Sequence, residues 1–236
     1  MKRFFVTQQL GQDLVLSGSE HHHLANVVRC KVGERITLVN GDQNDYRYEI
    51  RKITKHDADL VFVDYAKNRS NPTRNLTVYV GLIKLENLAL IIPQLNQVGV
   101  SHVVPFLCAR SNMDKRAVDT EKLQAIANQS SKQCGRSIPL SVGRVVTFKE
   151  MLGTIKLFGR VFYADRGERS VRITTDSLVD VATAALVIGP EGGLDLNENL
   201  ALTDVATAIT LGRRTLRSET AAVVGATLIL TAMGEL

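Results

Sequence analysis

From Met1 to about Ala66 the apolar residues come in short alternating runs. Asp13-Leu14-Val15-Leu16, Arg35-Ile36-Thr37-Leu38-Val39 and Asp59-Leu60-Val61-Phe62-Val63 each turn alternate side chains to one face, which predicts short strands. Asn40-Gly41 predicts a tight turn, while His22, Leu24, Val27 and Val28 have helical spacing in a segment that ends before Gly33. Together these elements predict a small, mostly β module with one helix.

The polar stretch Lys67-Asn68-Arg69-Ser70-Asn71-Pro72-Thr73-Arg74 reads as a linker. Beyond it the pattern changes to alternating strands and helices. Strands are expected at Leu76 to Ile83, His102 to Phe106, Arg160 to Ala164 and Ala184 to Ile188. Helices are expected at Leu85 to Val98, around Thr120 to Cys134 and from Ser218 to Met233, with Pro93 predicting a kink or a late start in the first. This is the pattern of an α/β fold with a mainly parallel sheet. The division is residues 1–70 for the β module and 75–236 for the α/β domain.

Composition narrows the class. Of 236 residues, 44% are hydrophobic and 22% charged, as in folded soluble proteins. The net charge of +5 permits a polyanionic partner without requiring one. Cys30, Cys108 and Cys134 have no paired short spacing, so neither a disulfide framework nor a zinc knuckle is expected, and a reducing cytoplasm fits best. No apolar run reaches the roughly 18 residues of a membrane span, and the segment after Met1 lacks a long apolar stretch. Neither membrane insertion nor secretion is expected.

Two segments could carry chemistry. In Leu186-Val187-Ile188-Gly189-Pro190-Glu191-Gly192-Gly193 an apolar strand runs into a glycine-rich turn, the place where open α/β sheets bind ligands. Its spacing is neither G-x-G-x-x-G nor a P-loop, and a purely structural turn is the alternative. In the second, Ile209 to Ala221, a strand and Gly212 lead to Arg213, Arg214 and Arg217 and then a small-residue helix. Ser218 is placed as its N-cap, with Glu219 in the first turn, where it either stabilises the helix or serves a site. The arginines are either phosphate contacts or solvated charge. A third segment, Gln129 to Arg136, reads as a polar helix ending on Gly135. His21-His22-His23 points three ways on a helix and does not predict zinc, and Cys134 lacks an arguable base partner.

Taken with His22-His23-Leu24, Val28-Arg29, Gln97-Val98-Gly99-Val100, Arg110-Ser111 and Gln133-Cys134-Gly135-Arg136, these two segments resemble the bacterial 16S ribosomal RNA uracil-N3 methyltransferases of the SPOUT superfamily. The resemblance covers the whole chain. Gln97-Val98 and Gln129 depart from the family pattern, so no role is assigned to them. It implies a PUA-like RNA-binding β-barrel over residues 1–70 and a trefoil-knotted SPOUT domain over 75–236, active as a cytoplasmic homodimer on 16S ribosomal RNA in the 30S subunit. S-adenosyl-L-methionine is the implied cofactor, held at Ile188, Gly189, Glu191, Gly192, Leu211, Gly212, Leu216, Arg217, Thr220 and Ala221. A non-catalytic ribosome-assembly factor and a SPOUT transfer RNA methyltransferase are the competing readings.

Methylating uridine N3 requires loss of its proton, which calls for a base or for stabilisation of an anion. Within the matched motifs Glu191 and Glu219 are candidates for the base, and Arg217 and Arg136 for the anion or a phosphate. No metal is called for. Arg3, Arg29, Lys31, Arg35, Arg110 and Arg136 are the candidate RNA contacts.

Overall fold

A computed structural model of the chain describes residues 2–111, 118–174 and 177–236. It divides into two compact units, residues 1–71 with 131–138, and residues 72–130 with 139–236. Residues 131–138 count with the first unit, which no single cut in the sequence expresses.

The first unit is a five-stranded sheet ordered β1-β3-β4-β5-β2. Its strands are β1 (Arg3–Phe5), β2 (Asp13–Ser17), β3 (Arg35–Val39), β4 (Asn44–Ile53) and β5 (Asp57–Lys67). The expected alternation is present in β2, where only Leu14 and Leu16 are buried, in a core with Phe4, Leu24, Ile36, Leu38, Tyr48 and Ile50, but not in β3, which is buried at all four positions from Ile36 to Val39. Helix α1 (Gly18–His22) runs into a π-helical turn, His23–Val27, whose carbonyl at His23 accepts from the Val28 N–H at 2.8 Å. The Asn40-Gly41 turn is longer than a two-residue hairpin. Four residues link β3 to β4, pinned by Asn40 and Asp42 side chains that accept backbone N–H groups.

The boundary between the two units falls after Asn71, inside the polar stretch that follows β5. Lys67 ends the strand, and buried Asn68 donates to Asp45 and to the Gly135 carbonyl, both at 2.8 Å. The Asn68 side-chain oxygen accepts the N–H groups of Ser70 and Asn71, and the Asn71 side-chain oxygen in turn accepts those of Ser137 and Ile138. The two asparagine side chains thus satisfy backbone groups on both sides, an accounting that composition alone does not reveal.

The second unit holds a wholly parallel seven-stranded sheet. Its strands are β6 (Asn75–Gly81), β7 (His102–Leu107), β8 (Ser141–Val142), β9 (Val146–Thr147), β10 (Arg160–Ala164), β11 (Thr183–Ile188) and β12 (Thr207–Ile209). The order is β12-β10-β11-β6-β7-β8, with β9 also on β7. In the central strand β11, Ala184, Leu186 and Ile188 join a core with α2 (Leu85–Val98) and α6 (Ser218–Ala232), while Ala185 and Val187 join one with α4 (Phe148–Ile155) and α5 (Leu196–Thr203). Burial on both faces explains its continuous apolar run. Helix α2 starts at Leu85 and passes through Pro93 without an early stop, and α3 (Thr120–Cys134) matches its expected span. Helices α4 and α5 are additions to the helices that the periodicity predicts. Each opens on a capping box, Thr147 with Glu150 and Asp195 with Glu198, a signal present in the sequence.

Candidate functional site

A cleft of about 780 Å³ opens in the second unit beyond the carboxyl ends of β6, β10, β11 and β12. That is where parallel sheets leave strand ends and loops to bind ligands, and the volume lies in the small-molecule range. Two loops form most of its wall. After β11, the Gly193 N–H closes a turn onto the Pro190 carbonyl at 2.8 Å. After β12, Leu211 to Arg217 leads into α6, with Gly212 at φ +112°, a backbone state that disfavours other residues.

The two loops are joined directly, since the Ser218 hydroxyl donates to the Gly189 carbonyl at 2.8 Å. The expectation that Ser218 caps α6 is corrected by this bond: Arg217 is the cap residue, with no side-chain cap bond, and Ser218 is the first helical residue. Pro190 is seated against β6. A Cβ at Gly81 would lie 2.5 Å from Pro190 Cδ and 2.6 Å from its nitrogen, so this position admits only glycine without displacement of the loop. From another side, Arg110 donates to the Gly192 carbonyl at 3.0 Å. Its loop is held in turn by Glu198, which accepts the Ala109 N–H at 2.7 Å.

Of the expected cofactor residues, Ile188, Gly189, Glu191, Gly192, Leu211, Gly212, Leu216, Arg217 and Ala221 line this cleft, and Thr220 does not. Glu219 also lines it. Among the described residues, one of its carboxylate oxygens is shut from solvent with no hydrogen-bond partner, and the other lies 3.9 Å from Arg217. Glu191, by contrast, is exposed. Sequence reasoning missed Lys84 and Glu86 beyond β6, and Asp165 and Arg166 beyond β10. Arg166 hydrogen-bonds to Thr215 in the loop before α6. Their signal was position at the ends of strands adjoining β11, readable only once the strand order is known.

The remaining candidates lie in the first unit. Arg29, Lys31 and Arg35 are exposed. Arg3 is instead committed to a two-pronged ion pair with Asp45. Burial pushes the Asp45 carboxyl up, but the bonds from Arg3 and Asn68 outweigh it and hold the group below its ordinary value. Arg136, expected to meet RNA or an anion, is turned inward: it is 3% exposed, donates to the Ile138 carbonyl at 3.1 Å, and burial lowers its pKa. A polar segment in sequence does not disclose which of its charges folds under. Gly135 ends α3, its N–H on the Ser131 carbonyl at 3.0 Å, and Lys132 pairs with Glu20 at 2.7 Å. The three histidines diverge, His21 to the Thr54 carbonyl and His23 onto the Phe4 ring. Among the described residues no group of three or more His, Cys, Asp and Glu side chains gathers as for a metal ion, and no helix is long and apolar enough to cross a membrane.

Residues 69–230 match the model of an RNA methyltransferase domain, and residues 16–63 that of an RNA methyltransferase PUA domain. The chain is 30% identical over 240 residues to the Ribosomal RNA small subunit methyltransferase E of Bacillus subtilis (strain 168), covering 94% of this chain and 93% of that protein. It is 26% identical over 228 residues to the protein of that name from Rickettsia conorii, covering 94% and 91%. Its fold matches the crystal structure of a Ribosomal RNA small subunit methyltransferase E from Neisseria gonorrhoeae bound to S-adenosyl methionine, with a TM-score of 0.87, 22% identity and coverage of 98% and 97%.

Proposed function

The chain belongs to the RNA methyltransferase family whose domain model spans residues 69–230, and from that premise we propose that it moves the methyl group of S-adenosylmethionine to N3 of a uridine in 16S ribosomal RNA, on the 30S subunit in the cytoplasm. The observation that carries the reading is the union in one cleft at the strand ends of the glycine-rich loop after β11 and the Gly212–arginine loop before α6, tied by Ser218 and Gly189. The Bacillus subtilis relative is named for the small-subunit ribosomal RNA, and the Neisseria gonorrhoeae structure for the donor it holds.

The residues present suit that donor. An apolar wall of Ile188, Leu211, Leu216 and Ala221 meets loop backbone and the unpartnered Glu219 oxygen, a mixture matched to a ligand that is part apolar ring, part polar and cationic. When bound, S-adenosylmethionine supplies an electrophilic methyl group on a sulfonium. The protein must orient it, exclude water and manage the N3 proton. Glu219 and Glu191 are the carboxylates in reach of that task, and Arg217 is the cation available to a developing uridine anion. Thr220 stays outside this set. We read the joined loops as the trefoil knot and the active unit as a homodimer. Arg29, Lys31, Arg35 and Arg110 are assigned to RNA.

The test is incubation of the protein with labelled S-adenosylmethionine and either 30S subunits or bare 16S RNA lacking the modification, followed by nuclease digestion and mass spectrometry. The expected product is one 3-methyluridine. Label in transfer RNA, or donor binding without transfer to any RNA, refutes the assignment.

A further inference from the structure

We propose that the outer end of the β4/β5 ribbon is a stacking site for an unpaired nucleobase of the RNA substrate, with Tyr65 as its platform. This rests on the reading that the substrate is RNA. Tyr46 and Tyr65 stand opposite each other in register, their rings stacked at 5.7 Å between centroids and 24° between planes. One rung inward, Tyr48 and Phe62 form a second pair at 5.7 Å and 72°. The register shift between Arg47 and Tyr48 skips Val63, which keeps Phe62 and Tyr65 on one face although they are three residues apart. The result is two aromatic pairs on successive rungs of one face. The inner rung belongs to the core, where Tyr48 is fully buried, and the outer rung runs into solvent, where Tyr65 is 64% exposed.

The core does not require that outer ring. Tyr46 closes one side of it and is itself oriented by its hydroxyl, which donates to Asp42. A flat apolar face backed by a second ring is what an unstacked base seeks, whatever its identity. Lys67 and Arg69, both exposed, follow Tyr65 along the chain and offer cations to the phosphates beside a stacked base. A duplex, whose bases already stack on one another, gains nothing there. The site therefore suits single-stranded RNA flanking the target uridine.

The chain suits a direct test. It has no tryptophan and five tyrosines, of which Tyr48, Tyr79 and Tyr163 are buried, so quenching of tyrosine emission by a base reports on Tyr46 and Tyr65. A short unstructured RNA oligonucleotide is titrated into the full chain and into its Tyr65→Ala and Tyr65→Phe variants, with thermal melting and S-adenosylmethionine affinity measured alongside. The expectation is quenching of the wild type, RNA binding about tenfold weaker in Tyr65→Ala (~1.4 kcal/mol) and within about twofold of wild type in Tyr65→Phe, with melting and donor affinity unchanged. Wild-type affinity in Tyr65→Ala overturns the site, and so does a Phe variant that fails to restore binding, because stacking needs the ring and not the hydroxyl. The two readings fail separately. If the wild type transfers no methyl group yet RNA quenches it and Tyr65→Ala does not bind, the enzymatic reading falls and the site stands.

Discussion

The Ser218 hydroxyl donates to the Gly189 carbonyl at 2.8 Å, across 29 positions of sequence, and so joins the start of α6 to the end of β11. Both flanking loops wall the cleft, and this bond ties one to the other. Ser218→Ala removes the donor at a cost of about 1 kcal/mol in stability, a typical net value for one hydrogen bond. Urea unfolding is expected to record that loss, and titration calorimetry a donor affinity about fivefold weaker. Unaltered donor affinity would mean that the loops are held together by other contacts.

A methyl group at Gly81 has no room, because its carbon would sit 2.5 Å from Pro190 Cδ and 2.6 Å from the Pro190 nitrogen. Gly81→Ala is expected to cost about 1–3 kcal/mol, as overpacking does, and to push the 189–193 loop into the cleft. Donor affinity should fall at least about tenfold while the first unit is undisturbed. A crystal structure of the variant with the loop unmoved would contradict this.

Of the two carboxylates, Glu219 holds an oxygen sealed from solvent without a partner among the described residues, whereas Glu191 is exposed. A sealed acceptor pays for its desolvation only when a ligand donates to it. Glu219→Gln is expected to lower kcat by about 10²-fold at saturating donor and RNA, the lower end of what proton transfer contributes, and Glu191→Gln to have a much smaller effect. Equal losses in the two variants would argue against the assignment.

The Arg3–Asp45 pair makes an acid-sensitive contribution to the first unit. Its side chains are 9% and 25% exposed, and the Asp45 pKa is depressed in the folded chain. A depressed carboxylate stabilises the fold in full above its unfolded value near about 3.9, and the contribution is lost as pH falls through the lower folded value. Asp45→Asn should therefore destabilise the chain by about 1.5–3 kcal/mol at pH 7. The gap between variant and wild type should close below about pH 3.9 in chemical unfolding. A gap independent of pH would show that charge is not what the pair contributes.

Much of the site was readable before the fold was known. The Gly189 to Gly193 turn announced itself because an apolar strand must end where glycine and proline follow it, and the Leu211 to Ala221 segment because a glycine and arginines precede a helix of small residues. Lys84, Glu86, Asp165 and Arg166 gave no such sign, each being an ordinary polar residue after an ordinary strand. Arg136 misled in the opposite sense. Its polar neighbours suggested a surface, yet it is 3% exposed in a segment that counts with the first unit.

The sequence by itself determined the elements and their faces. Periodicity and turn residues act over a few positions, so β11 reads as an apolar strand and α2, α3 and α6 as helices from their own residues. The order β12-β10-β11-β6-β7 was decided only by the tertiary structure, because strand pairing answers to which apolar faces can be covered together rather than to any local pattern. That order brings the ends of β6 and β10 beside β11, aligns Gly81 with Pro190 and Ser218 with Gly189, and leaves one Glu219 oxygen sealed in the cleft. Contacts of this kind join residues tens to more than a hundred positions apart, and only the folded chain brings them into contact.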